Sequence, residues 1–262
     1  MCSKRILNLS GGFNFRDLGG YPAANARQVK WCKLVRSGYL SDLTDQDLQK
    51  LVDYGINLVI DLRSKSEVQS FPDRLNSHIK YINLPIFQDD QTESGASLKR
   101  IYQLYARSDQ GGFQKMMRSY RKLITDPHAQ QAYHHFFELL EKYGRDGGIL
   151  FHCSAGKDRT GMCTMLLLVA LGVDDKVIRE DYLLTNPASK ARIEWRRNEA
   201  KKMHLGRNFV QSVEDLASVR DEYYDQLVGM LNYQYGGIPQ YLKNEIQLTK
   251  AQKQNLRKIY LD

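Results

Sequence analysis

The segment FHCSAGKDRTG, residues 151–161, decides the fold of this chain. It follows the apolar run 148–151 and precedes a second apolar run, 162–171, so it predicts a strand, a tight loop and a buried helix. The first amides of a helix lack intrahelical partners and lie at the positive end of its dipole, so they attract anions. We therefore predict a phosphate-binding ring of N–H donors at 154–159, which includes Ser154, Ala155, Gly156 and Lys157.

The two ends of this loop carry the predicted chemistry. The thiolate of Cys153 would be stabilised by the helix end and by cationic neighbours, and Arg159 offers a planar fork that matches two phosphate oxygens. These residues predict attack of the Cys153 sulfur on phosphorus and a phosphocysteine intermediate. Thr160 would donate a hydrogen bond to the sulfur when water releases the phosphate.

Cys153 and Arg159 fit the Cys-x5-Arg signature of the protein tyrosine phosphatase superfamily, which this segment resembles. The longer form HCxxGKDRTG, together with NFRDLGG at 14–20 and DLRS at 61–64, is similar to a bacterial branch of tyrosine and dual-specificity phosphatases. That branch is associated with phosphotyrosine, phosphoserine/threonine and phosphoinositide substrates. The resemblance covers about residues 11–161 and implies a cysteine-dependent phosphomonoester hydrolase that acts on phosphorylated protein or phosphoinositide.

The length and composition favour one large α/β domain. The chain has 262 residues, of which 42% are hydrophobic. We predict a single phosphatase domain over 1–262, with a catalytic core at 1–185 and a helical extension at 186–262. The core should contain a central, mainly parallel sheet of about four or five strands with helices on both faces.

Net charge and hydropathy limit the classes of binding partner and the cellular location. The net charge of +8 favours anions in general, but no basic helix is interleaved with aromatic residues, so we predict no nucleic-acid binding. No apolar run reaches membrane-spanning length, which leaves at most peripheral membrane association. The N-terminus lacks an apolar signal region, which favours the cytoplasm, although removal of a leader would leave secretion open. The oligomeric state is not indicated.

The cysteines predict neither a disulfide framework nor a metal site. Four are widely spaced, and no Cys-x-x-Cys or His pair has metal-binding spacing, so we expect no metal and no cofactor in a reducing compartment. A reversible disulfide between Cys153 and either Cys163 or Cys32 is a less favoured alternative.

Polar residues elsewhere are predicted to join the loop. Asp61 and Arg63 end a buried strand, and the carboxyl ends of parallel strands line a ligand crevice, so both are candidates for substrate binding. Asp61 could instead hold the loop or pair with an arginine. Arg16 is a further substrate-binding candidate, with a structural ion pair as the alternative.

The leaving oxygen needs a proton, and four carboxyl groups compete to donate it: Asp158, Asp61, Asp89 and Asp90. We favour Asp158 because it is part of the loop, an arrangement that resembles the myotubularin lipid phosphatases. Lys157 adds a cation that favours a highly charged substrate such as a phosphoinositide, unless it only anchors the loop. The basic segment 187–207 could likewise attract polyanions or form a lid, or be a solvated helix face.

Three other functions fit parts of the pattern. The protein could be primarily a phosphoinositide phosphatase, a non-catalytic phosphate-binding module or a rhodanese-like sulfurtransferase. A silent module would not need both Cys153 and Arg159, and persulfide chemistry does not need the full GKDRTG set. A nucleotide-binding P-loop is excluded by spacing, because Asp158 follows Lys157 where Ser or Thr belongs.

Overall fold

The computed structural model describes residues 4–92, 96–105 and 108–262. Within these ranges a five-stranded sheet has the order β1-β4-β7-β5-β6 and a separate antiparallel pair joins β2 and β3. The strands are β1 (Arg16–Asp17), β2 (Pro22–Ala23), β3 (Arg27–Gln28), β4 (Leu34–Ser37), β5 (Ile56–Asp61), β6 (Lys80–Asn83) and β7 (Gly148–His152). Only β1 runs antiparallel in the larger sheet, so the predicted mainly parallel sheet is confirmed.

The helices surround this sheet and continue to the C-terminus. They are α1 (Asp45–Asp53), α2 (Lys65–Ser70), α3 (Leu98–Tyr105), α4 (Gly111–Thr125), α5 (Pro127–Tyr143), α6 (Arg159–Leu171), α7 (Asp175–Leu183), α8 (Thr185–Ala188), α9 (Lys190–Lys202), α10 (Arg207–Ala217), α11 (Asp221–Tyr235), α12 (Ile238–Asn244) and α13 (Lys250–Tyr260). None of those in the described ranges has the length and apolar character needed to cross a bilayer.

The central strand β7 separates two apolar cores. Ile149 and Phe151 pack on the side of α6, whereas Leu150, between them, packs with α1 on the opposite face. This alternation follows from the two-residue period of a strand. Helices therefore cover both faces, as predicted, and α6 is almost entirely buried.

The register of the sheet brings polar strand ends together. His152 at the end of β7 is level with Ser37 of β4 and Asp61 of β5, and Asp61 is level with Asn83 of β6. Because parallel strands end at one edge, the loop that follows β7 lies beside the segments that follow β4, β5 and β6.

Three segments differ from what their residue patterns predict. The pattern at 29–37 predicts one strand, but only β4 forms, because Cys32 has a left-handed φ of 60° that interrupts it. Residues 11–20 are rich in glycine and turn residues and predict no strand, yet they contribute the short strand β1. The pattern at 213–233 predicts one helix, whereas the structure has two, α10 and α11, which are separated at 218–220. The helical region 96–143 contains α3, α4 and α5, and its residues 106–107 lie outside the described ranges.

Candidate active site

The loop between β7 and α6 has the predicted strand–loop–helix form. β7 ends at His152 and α6 begins at Arg159, so residues 153–158 form the turn. Gly156 has a left-handed φ of 67°, and a Cβ atom there would lie 2.2 Å from the carbonyl oxygen of Ser37. Only glycine fits this position without strain, because the backbone of β4 passes directly behind the loop.

Hydrogen bonds from two other segments hold the back of the loop. The side-chain amide of Asn14 donates to the carbonyl oxygens of Ala155 and Gly156, both at 3.0 Å. Arg36 donates to the Gly156 carbonyl at 2.8 Å. These three hydrogen bonds fix the orientation of the peptide groups that follow Ala155 and Gly156.

A buried carboxylate, Asp181, neutralises the cations behind the loop. It accepts from Arg36 at 2.6 Å, from Arg16 at 3.0 Å and from the Tyr21 hydroxyl at 2.9 Å. Burial alone would raise the pKa of Asp181, but the two guanidinium groups outweigh it and lower this pKa to about 2. Arg16 also donates to Asn14. Arg16 therefore forms a structural ion pair, the alternative to the predicted contact with substrate.

Arg159 is held by Glu67 on α2. Its two terminal nitrogens donate to the two carboxylate oxygens at 2.7 and 2.8 Å, and its NH2 also lies 3.2 Å from the Thr92 hydroxyl. Burial would raise the pKa of Glu67, but Arg159 and further hydrogen bonds lower it to about 2. In the described part of the chain, Nε of Arg159 has no hydrogen-bond partner. The fork is thus fixed while one N–H stays available.

Glu67 was missed by the sequence reasoning, although a signal for it was visible. It lies three residues after Ser64, and the pair forms a capping box at the start of α2. One carboxylate therefore caps a helix, accepts from the Ser154 hydroxyl and orients Arg159.

Asp61 and Arg63 pair with each other. Asp61 accepts from Nε of Arg63 at 2.9 Å, from its NH2 at 2.7 Å and from its backbone N–H at 3.0 Å. The Tyr81 hydroxyl also donates to Asp61 at 2.9 Å. Both side chains are buried, and Asp61 takes the alternative in which it pairs with an arginine. Arg63 also lines the cleft described below, so its role in substrate binding stays a prediction. A carboxylate with this many donors is also a poor candidate for the general acid.

Asp158 lies in a buried polar group beneath α4. Its Oδ1 is 2.8 Å from the Lys157 ammonium and 2.9 Å from the Tyr120 hydroxyl, which in turn lies 2.8 Å from the hydroxyl of Tyr182. Lys157 and Asp158 are both nearly inaccessible to solvent. In this conformation the two charged side chains of the loop neutralise each other.

The other candidate acids border an open cleft. Asp90 lies 3.8 Å from NH2 of Arg159, and its Oδ1 accepts from the backbone and the hydroxyl of Thr92. Asp89 is exposed beside it. Both line the cleft, whereas Asp158 does not.

The cleft has a volume of about 670 Å³, within the usual range for small-ligand sites. Glu67 and Ser154 are among the residues that line it. Aromatic and basic side chains form its walls, namely Tyr39, Phe71, Trp195, Arg100, Lys115, Arg192 and Arg196. The basic segment 187–207 is therefore divided, because Arg197 and Lys202 instead pair with Glu214 and Glu199.

A second, small cavity lies between the loop and helices α9 and α10. It is lined by Ala155 and Lys157 from the loop and by residues of both helices, and its volume is about 10 Å³. That space holds about one water molecule and is too small for a phosphate group.

The cysteines depart from the sequence prediction at one position. Cys32 is disulfide-bonded, whereas Cys153 and Cys163 are free and buried. A disulfide at Cys32 was not predicted from the sequence, and the alternative Cys32–Cys153 bond is absent, because Cys153 is free. Cys163 is buried within α6, and this burial raises the pKa of its thiol.

Three side chains next to the loop lie close enough together to be possible metal ligands. Within the described ranges, Asp61, Asp73 and His152 offer ligand atoms that lie within 4.8 Å of one another. The guanidinium of Arg63 contacts both carboxylates, at 2.7 and 2.9 Å. We therefore assign the set to an ion-pair network and not to a metal site.

Comparison with known proteins connects this geometry to a family. The chain is 30% identical to the triple specificity protein phosphatase PtpB of Mycobacterium tuberculosis over 98% of this chain and 99% of that protein. It is 28% identical to the putative tyrosine-protein phosphatase H16_A0669 of Cupriavidus necator, over 91% and 83% of the two chains. The crystal structure of P. aeruginosa TpbA covers 60% of this chain and 71% of that chain with a TM-score of 0.34 and 14% identity, from which we draw no argument.

A model of the tyrosine phosphatase family matches residues 7–262. The match includes the loop at 153–159 and the helices that follow α6. The chain therefore belongs to the tyrosine phosphatase family and is a cysteine-dependent protein tyrosine phosphatase.

Proposed function

We propose that the protein hydrolyses phosphotyrosine, and also phosphoserine/threonine and phosphoinositides, through a phosphocysteine intermediate on Cys153. The observation that carries this proposal is the arrangement of Arg159. Glu67 holds its two terminal nitrogens, while Nε has no hydrogen-bond partner among the residues that the structure describes. Arg159 lies six residues after a buried free thiol. A guanidinium held in this way can bind a phosphoryl group without rearrangement.

In the first step the sulfur of Cys153 attacks phosphorus and the bond to the leaving oxygen breaks. Arg159 and the amides of residues 154–159 stabilise the charge on the equatorial oxygens. In the second step water attacks phosphorus and the sulfur leaves as a thiolate, with the Thr160 hydroxyl as its donor. Thr160 suits the role of donor to the sulfur because, in the described ranges, its buried hydroxyl oxygen has no hydrogen-bond partner.

Asp158 supplies the proton to the leaving oxygen and accepts one from the attacking water. Its counter-ion is Lys157, at 2.8 Å. A bound phosphate dianion competes for that ammonium, and its arrival releases the carboxyl group for proton transfer. Proton donation by a positioned carboxylic acid is worth roughly 10²- to 10⁴-fold in rate.

The walls of the cleft support a substrate with additional anionic groups. Arg192 and Arg196 line it from α9, and Arg196 has a pKa lowered to about 10 by burial and by the charge of Arg192. Two neighbouring guanidinium groups that repel each other gain from a shared anion. This observation favours the second candidate function, hydrolysis of phosphoinositides, and also suits acidic phosphopeptides.

We propose that residues 186–262 belong to the same domain as the catalytic core at 1–185. α9 and α10 line a small cavity together with Ala155 and Lys157 of the loop, and α9 also lines the cleft. A core that ends near residue 185 would lack Arg192 and Arg196.

Cys153→Ser tests the proposed chemistry. The variant should release no phosphate from a phosphotyrosine peptide, because an alcohol at this position is not ionised at neutral pH. The wild-type activity should be inhibited by vanadate. Turnover by the folded variant would exclude the phosphocysteine mechanism. A panel of phosphotyrosine peptide, phosphoserine peptide and mono- and bis-phosphorylated inositol lipids would then rank the substrate classes.

Asp158→Asn tests the acid, with Asp90→Asn as the comparison. Loss of the true acid should lower kcat by roughly 10²-fold or more on an alkyl or tyrosyl phosphate. It should matter far less on an activated aryl phosphate, whose leaving group needs no proton. If Asp90→Asn shows this selectivity and Asp158→Asn does not, the assignment moves to Asp90.

A further inference from the structure

A buried charged cluster lies directly behind the nucleophile. His152, the residue before Cys153, is completely buried, and its Nε2 lies 2.9 Å from Oδ2 of Asp73 and 3.9 Å from Oδ1 of Asp61. Its Nδ1 lies 3.2 Å from the carbonyl oxygen of Cys153. Carboxylate and carbonyl oxygens only accept, so both ring nitrogens face acceptors. This environment selects the imidazolium, which has a proton on each nitrogen.

The charge balance of the cluster leads to the same protonation state. Arg63 contacts both carboxylates, so one guanidinium faces two negative charges. A neutral His152 would leave one carboxylate uncompensated in the interior. Burial alone would lower the pKa of His152, but Asp73 and Asp61 outweigh it and the pKa is raised. Burial would likewise raise the pKa of Asp73, yet His152 and Arg63 lower it.

Asp73 contacts His152 through an ion pair and not through an aligned hydrogen bond. Its Oδ1 accepts from the backbone N–H of Leu40 at 2.9 Å, which fixes the carboxylate. Its Oδ2 faces His152 at ion-pair distance without the alignment of a hydrogen bond. The contact therefore operates mainly through charge.

We propose that Asp73 is a positioning residue that keeps His152 doubly protonated, so that His152 anchors the Cys153 carbonyl and places a positive charge beside the nucleophile. This proposal rests on the proposed role of Cys153. Arg36 and Arg159 also interact electrostatically with Cys153, and Cys163 is the neighbouring thiol. On the far side of the cluster, Tyr81 donates to Asp61. Asp73 acts through His152 and does not touch the reacting atoms.

Asp73→Asn tests the proposal, because Asn keeps the shape and the acceptor for Leu40 but removes the charge. The expected result is a neutral His152 that still donates from Nδ1 to the Cys153 carbonyl. The thiolate then loses a nearby cation, and a more distant anion is lost with it. We expect the pH midpoint of Cys153 alkylation by iodoacetamide, followed by mass spectrometry, to rise by about half to one unit.

Activity provides the second measurement. The acidic limb of kcat/KM should move upward by the same amount, while kcat on the alkaline plateau stays within about twofold of wild type. A purely structural role would lower the plateau and leave the midpoint in place. Asp45→Asn is the charge control, because Asp45 forms an exposed ion pair with Arg74, next to Asp73 in the chain, and does not contact His152.

Two further measurements make the result decisive. If Asp73 acts through His152, then His152→Gln should raise the midpoint, and the double variant with Asp73→Asn should raise it no further. Nitrogen NMR of the wild-type protein at neutral pH should show His152 as an imidazolium, a test that does not depend on the folding of any variant. A neutral His152, or an unshifted midpoint in folded Asp73→Asn, would overturn the proposal. Alkylation needs no turnover, so this outcome is distinct from activity of Cys153→Ser, which would overturn the proposed function.

Discussion

Two buried arginine–carboxylate pairs hold the loop at 153–158, and they use their terminal nitrogens differently. Arg36 gives one terminal nitrogen to Asp181 and the other to the Gly156 carbonyl of the loop. Arg159 gives both terminal nitrogens to Glu67, a residue that lines the cleft. Within the described ranges Nε has no hydrogen-bond partner in either arginine, so the terminal nitrogens make the difference. The comparison teaches that the same ion pair can fix a backbone or orient a guanidinium, depending on what the second terminal nitrogen bonds.

Asp181→Asn should produce the largest loss of stability. It leaves Arg16 and Arg36 without a full counter-charge in the interior, and breaking a buried pair in this way costs about 3–5 kcal/mol. Urea denaturation measures the free energy of unfolding. Asp175→Asn, on the same helix, is the control, because Asp175 is bonded by the Tyr224 hydroxyl and lies outside this network. A loss below about 1 kcal/mol for Asp181→Asn would show that the Arg36–Asp181 pair is not needed.

Glu67→Gln should affect catalysis more than stability. The amide cannot accept from both terminal nitrogens of Arg159, so the fork loses its fixed orientation. We expect kcat/KM to fall by about 10²-fold, the order found when one preorganised donor is lost. Glu214→Gln, which removes the partner of Arg197 at 3.7 Å, should leave kcat/KM unchanged. Equal losses of stability in the Glu67 and Asp181 variants, with activity retained in the former, would contradict the distinction between the two pairs.

The smallest expected effect is the loss of folding stability at acidic pH. The pKa of Glu67 is about 2 in the folded protein, against an ordinary value of 4.5. Because the folded pKa is the lower one, the stabilisation is complete above about pH 4.5 and is lost as the pH falls toward 2. Between pH 6 and pH 3 this residue should account for a loss of about 2 kcal/mol. Urea titrations over that range should show a shallower decline in Glu67→Gln, and parallel curves for the two proteins would argue against the low pKa.

The catalytic loop could be predicted from sequence because its chemistry is local. Cys153 and Arg159 are fixed six residues apart by one strand, one turn and one helix, and each step has its own residue pattern. The parallel sheet followed from buried apolar strands that alternate with helices. The caps of α1 and α13 are also local, because Thr44 and Thr249 each precede an Asp or Gln by three residues and form a capping box with it.

The supporting residues could not be predicted in the same way. Asp181 lies 145 residues from Arg36, and Glu67 lies 92 residues from Arg159, so no local pattern joins either pair. The capping box of Ser64 and Glu67 identified a helix start but not the second partner of its carboxylate. For Arg16 and Asp61 the sequence left open a contact with substrate or an ion pair, and the structure shows the ion pair in both cases.

The amino-acid sequence by itself determined the strand–loop–helix segment that carries Cys153, the proposed nucleophile, and Arg159, because backbone geometry over eleven residues requires no distant contact. Only the tertiary structure decided which cations face the substrate and which are neutralised in the interior. That division depends on carboxylates from distant segments, and burial makes each such pairing close to obligatory.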